Sequence, residues 1–138
     1  MTYVSKQRGA TIVEMAVLLS VFLMIVFGIV EFGRAVWYYN TVGHAAREGT
    51  RFAAVNGSTS GAPPGPRDSA VVTPLVRSKV ISAAVGLNLQ TGDIVVTWSP
   101  NNKPGSTVSV EVTKAFVPVT PYIGIFTIKR SSSLTIVR

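Results

Sequence analysis

The sequence predicts an α+β protein: a long N-terminal helix, transmembrane and then amphipathic, followed by a small head with a short helix on a three-stranded antiparallel sheet. Three observations predict it. Met15–Val30 carries no charge and one hydroxyl, Ser20. The next stretch repeats its apolar residues at three- and four-residue spacing, and the C-terminal third alternates apolar with polar residues in short runs between turn residues.

Residues 1–9 are polar and basic and are expected to form a short leader with no structure of its own. Residues 10–30 are the candidate transmembrane helix. Counted from Ile12, the apolar run is about 19 residues, which at ~1.5 Å per residue gives roughly 28 Å, close to the ~30 Å hydrocarbon thickness of a bilayer. Glu14 is the one ionisable group inside it. A carboxylate at membrane depth costs a few kcal/mol and points to a functional site with a partner. A carboxylate near a helix N-terminus is also favoured by the dipole. Both readings stand on the residues alone.

Residues 31–57 extend the helix with a one-sided pattern. Ala35, Tyr38, Tyr39, Val42, Ala45, Ala46, Gly49, Phe52 and Ala53 share one side, and Arg34, Thr41, His44, Glu48 and Arg51 fall opposite. The i,i+3 pairs Glu31–Arg34 and Glu48–Arg51 support a helix by ~0.2–0.5 kcal/mol each, without implying chemistry. Trp37, Tyr38 and Tyr39 are candidates for the membrane interface, where amphipathic rings favour the headgroup layer. Gly28, Gly33, Gly43 and Gly49 each weaken an isolated helix by ~1 kcal/mol relative to Ala, so they are read as helix-packing positions. Asn56-Gly57 is expected to end the helix in a left-handed cap.

Residues 58–67, rich in Ser, Gly and Pro, read as a linker between this stalk and a head at 68–138. Thr73-Pro74 resembles an N-cap followed by proline at the first helical position, predicting a helix over Pro74–Val85 ended by Gly86. A start near Asp68 is the alternative. Ile94, Val96 and Trp98, then Val108, Val110 and Val112, form alternating runs joined by the turn-rich 99–105, hence a hairpin. A third strand is expected over Thr127–Val137 with Ile128, Leu134 and Ile136 on one face, and the helix 74–87 is expected to cover the sheet. The apolar, proline-containing stretch 116–126 either plugs one end of the core or forms an exposed patch of the kind that meets a partner or membrane.

Composition limits the function classes. The chain of 138 residues is 47% hydrophobic and only 14% charged, which suits one membrane segment plus one small domain. Its net charge is +7, but Arg67, Arg77, Lys79, Lys103, Lys114, Lys129 and Arg138 are scattered, so a nucleic-acid interface is not indicated. Cysteine is absent, excluding disulfides and thiolate chemistry, and the single histidine, His44, precludes a two-histidine metal site. Asp68, Asp93 and Glu111 lie far apart, and Ser131-Ser132-Ser133 has no base partner. No cofactor and no enzymatic activity are expected. A cleaved secretory signal fits poorly, since the apolar run exceeds the usual ~7–15 residues and no small-x-small site follows Val30.

Gly9 lies five residues before Glu14, so Glu14 is the fifth residue of any chain beginning at Ala10, whose new ammonium would lie one turn from the carboxylate. This spacing resembles the cleavage and assembly signature of type IV prepilins. Gly28-Ile29-Val30-Glu31-Phe32-Gly33-Arg34-Ala35 and Ala45-Ala46-Arg47-Glu48-Gly49-Thr50-Arg51-Phe52-Ala53-Ala54-Val55 resemble the N-terminal block of the TadE-like proteins, pseudopilins of the tight-adherence (Flp) pilus system. The likeness is good over residues 8–56 and loose beyond. Met15 stands where the family often has an aromatic residue. The resemblance implies a pilin-like fold and a single-pass protein of the bacterial inner membrane with its head exported. It also implies cleavage between Gly9 and Ala10 by a prepilin peptidase, with Glu14 serving processing and assembly. Implied partners are other pilins or pseudopilins, the prepilin peptidase, the inner-membrane assembly platform and the lipid bilayer. Two other functions fit the residues: a stand-alone anchored binding module, and an adhesive or DNA-contacting pilus tip.

Overall fold

A computed structural model describes residues 5–59, 69–120 and 123–137. Helix α1 (Ser5–Val55) runs unbroken for 51 residues, about 77 Å at the α-helical rise. It starts inside the segment expected to lack structure: residues 5–9 are helical. Nothing there breaks a helix, and extending one that is already nucleated is cheap. Along Gly9–Val30 its residues are exposed on every side except for the half-buried Val26.

Three strands, β1 (Ile94–Ser99), β2 (Thr107–Phe116) and β3 (Phe126–Thr135), form one antiparallel sheet in the order β1-β2-β3. Trp98 pairs with Val108, Val112 with Arg130, and Phe116 with Phe126. The hairpin and the third strand are therefore as the alternation predicts. Ile128 and Ile136 point into the core, but Leu134, expected on the same face, is 46% exposed on the edge strand.

Helix α2 (Ser69–Ala83) begins five residues before Pro74, at the alternative start near Asp68, with Pro74 inside it. As the sixth helical residue, Pro74 forfeits one backbone hydrogen bond, that to Ala70 O. The earlier start aligns Val72 with Val76 and Val80, all three fully buried, at four-residue spacing. Thr73 is thus helical rather than a cap, and its hydroxyl accepts a hydrogen bond from Trp98 Nε1 at 3.1 Å. Beyond α2 the chain turns at Gly86, whose φ is +82°.

The sheet is not covered by α2 alone. The second half of α1 lies on β2 and β3, while α2 packs against α1 and β1. Val42, Ala45, Ala46 and Ala53 of α1 share one core with Val72, Val76 and Val80 of α2 and Val108, Val110 and Val112 of β2. The expected division between a stalk at 31–57 and a head at 68–138 is therefore not a packing boundary. The small residues of α1 let its backbone come close to the sheet, so the helix is the spine of the head. Most of the expected linker lies outside the described residues.

Contacts along α1 fix the direction of the sheet. Val137 N donates to Ala54 O at 2.9 Å, Thr50 Oγ1 donates to Ser132 O at 3.1 Å, and Tyr38 packs edge-on against Phe116 with centroids 5.1 Å apart. Residues 117–120 and 123–125, between β2 and β3, are thereby placed at the end of the head nearest the apolar run. The helix ends at Val55 without the expected left-handed cap: among the described residues positive φ is found at Asn88, Gly86 and Gly105, not at Asn56 or Gly57. Instead Asn56 Nδ2 donates to Phe52 O at 2.9 Å, closing the last turn with a side chain.

Candidate functional site

The most constrained polar group at this membrane-proximal end is Glu31. It follows directly on the charge-free run, yet it is only 4% exposed. Its Oε1 accepts hydrogen bonds from Val119 N at 2.6 Å and Thr120 N at 3.3 Å, and its Oε2 accepts one from Arg34 Nη1 at 2.9 Å. A buried carboxylate is tolerated when its lone pairs are taken up and a cation stands beside it. Here the partners come from 88 residues further along the chain as well as from the next helical turn. The arrangement is a clasp that holds the β2–β3 segment against α1.

Aromatic packing backs the clasp. The Arg34 guanidinium lies 5.2 Å from the Phe116 ring centroid, and Phe116 is stacked at 4.9 Å on Phe126 and edge-on to Tyr38. Phe116, 1% exposed, is the residue that plugs the end of the core. The stretch after it does not: Val117, Val119 and Ile125 are 58%, 77% and 70% exposed. Of the two readings of 116–126, plug and exposed patch, each describes a different part of the segment.

Glu14 and Gly9 both lie on the exposed part of α1, and a Cβ at Gly9 would meet nothing within 4 Å. Among the described residues Glu14 has no hydrogen-bond or ion-pair partner. The glycines divide into two groups. Gly28 and Gly33 face open space, Gly43 lies against the Arg130 guanidinium, and a Cβ on Gly49 would collide with Val80 of α2. Close packing at Gly49 is thus within the chain, between α1 and α2. Trp37 and Tyr39 remain 47% and 46% exposed, although Trp37 lies over Gly86 and Tyr39 holds Arg130, which donates to its hydroxyl and stacks 4.4 Å from its ring. Among the described residues no cluster of His, Asp or Glu is disposed to hold a metal. The sequence shows Glu31 as half of an i,i+3 pair and as one residue of the Gly28–Ala35 block that resembles the TadE-like proteins. A further legible signal is its place as the first charge after the charge-free run.

Fold and site together define a class: a protein with, among the described residues, one helix long and apolar enough to cross a membrane, which continues as the spine of a small α+β head. That architecture suggests a single-pass membrane anchor. Over residues 9–51 the chain matches the model of the TadE-like protein family, the block on which the resemblance rests. The TadE-like family implies involvement in the Tad pilus system. No curated protein and no solved structure matches the chain.

Proposed function

We propose that this chain is a pseudopilin or minor pilin of the tight-adherence pilus, a non-enzymatic subunit anchored in the bacterial inner membrane with its head on the extracytoplasmic side. Prepilin peptidase would cut between Gly9 and Ala10. The new Ala10 amine and Glu14 would then neutralise one another within a subunit or between neighbours as the bare apolar helix docks beside other pilins on the assembly platform. The observation that carries this reading is the unpartnered half of α1. Its Gly9–Val30 stretch is exposed apart from the half-buried Val26, while the TadE-like match starts at the expected cleavage residue. An apolar surface of that length needs lipid or sister helices.

Mass spectrometry of the protein extracted from membranes of cells expressing the pilus system tests it. The expected product begins at Ala10 and co-purifies with other pilin subunits. An intact Met1, or a cut near Val30, overturns the pilin reading.

A further inference from the structure

The β2–β3 segment lies beside the same stretch of α1 that the bilayer must cover. Thr120 and Ile123 face Ser20, Val21, Met24 and Phe27 across an apolar groove of about 590 Å³. From Ser20 to Val30 is roughly 15 Å of helix, about half of a ~30 Å hydrocarbon layer. A bilayer that ended below Ser20 would have only Ala10–Leu19, again roughly 15 Å, to cross. If α1 spans, the segment beside it is in the bilayer too.

The composition and hydrogen bonding of the segment suit that position. Residues 115–128 contain no charge. Val119, Ile125 and Phe126 are exposed, and the first cations along the two strands, Lys114 and Lys129, stand at its base, where headgroups would meet them. Irregular backbone in lipid fails when its polar groups lack partners. Here Pro118 and Pro121 have no N–H to satisfy, the N–H groups of Val119 and Thr120 donate to Glu31, and Ile123 N donates to Thr120 O at 3.4 Å.

We propose that residues 117–120 and 123–126 form a second lipid-facing element, inserted beside α1 in the leaflet on the head side, with the Glu31 clasp supplying the Val119 and Thr120 amides with the hydrogen bonds that water would otherwise provide. The inference rests on α1 being a membrane anchor, and its test separates the two. The chain has no cysteine, so single variants Val119→Cys, Ile125→Cys, Leu19→Cys and Asn101→Cys of the full chain can carry a fluorophore. All four native side chains are exposed. They are measured in phosphatidylethanolamine–phosphatidylglycerol vesicles containing doxyl-labelled lipid, with aqueous iodide as the second quencher. The expected result is lipid quenching at Val119 and Ile125 within about twofold of that at Leu19, and none at Asn101 on the far hairpin. Iodide quenching at both segment positions as strong as at Asn101, with Leu19 still lipid-quenched, overturns the proposal and leaves the anchor intact. Neither quencher reaching Val119 and Ile125 means that protein covers them, a second copy for instance, and also overturns it. A Leu19 label insensitive to lipid removes anchor and segment together.

Discussion

Replacing Glu31 with alanine removes three hydrogen bonds, and the structure says where the loss is felt. A hydrogen bond to a charged group contributes ~1.5–3 kcal/mol, and one at the long end of the range contributes less. The 2.6 Å bond from Val119 N is therefore worth about 2 kcal/mol and the 3.3 Å bond from Thr120 N about 1 kcal/mol. Arg34, a third exposed, can turn to water once its partner is gone and adds little. The sum, about 3 kcal/mol, falls on the local opening of the 117–120 segment, and at ~1.4 kcal/mol per tenfold its amides should exchange roughly 100-fold faster. Hydrogen exchange of the full chain in detergent or nanodiscs, read on peptides covering 117–120 and on β2 as reference, measures it. Glu31→Gln keeps an acceptor without the charge and should show about half of that free-energy loss. Unchanged exchange at 117–120 in Glu31→Ala would refute the clasp. An equal increase across Val108–Val112 would show that the carboxylate stabilises the head as a whole.

The two kinds of glycine should respond oppositely. Gly49→Ala drives a methyl into Val80 and should cost ~1–3 kcal/mol of head stability by overpacking. Gly33→Ala meets open space and should stabilise the helix by up to ~1 kcal/mol, both read as shifts in thermal unfolding followed by near-ultraviolet circular dichroism. Thr50→Val keeps the shape of a fully buried residue but leaves Ser132 O without its helix donor. It should cost about 1 kcal/mol, with faster exchange in β3 than in β1; equal exchange in both strands would count against that contact. Spin labels at Leu19 and Asn101 should give a narrow distance distribution that broadens in Glu31→Ala, and an unchanged width would assign the stiffness to the helix alone.

Periodicity made much of this fold legible. The side of α1 carrying Val42, Ala45, Ala46 and Ala53 and the alternation of Val108, Val110 and Val112 encode burial directly, because each side chain's exposure follows from the repeat of its own element. What the sequence hid were decisions between elements. Val72 lies before Pro74, so local rules left it between two possible helix starts, and only its burial beside Val76 and Val80 shows the gain that selects the earlier one. Stalk and head look separate because a Ser-, Gly- and Pro-rich stretch divides them along the chain, whereas Gly49 against Val80 and Thr50 against Ser132 join them in space. Glu31 was visible as an i,i+3 partner of Arg34, but nothing local announces an acceptor for backbone N–H groups 88 residues on.

A helix shared by anchor and head has a mechanical consequence. Gly28 and Gly33 lie at the junction, each with open space around it, and an isolated helix is weakest where two glycines stand so close. Glu31 falls between them. By fixing the β2–β3 segment to this turn, its carboxylate ties the head to the helix on the membrane side of Gly33, and the groove beyond, lined by Met24, Phe27 and Ile123, carries the segment past Gly28 as well. Force applied to the apolar end therefore reaches the sheet by two routes, the helix backbone and the clasp. On the proposed pilin reading, a subunit packed by its N-terminal helix while presenting a head at a set angle would need such a brace where its helix is weakest.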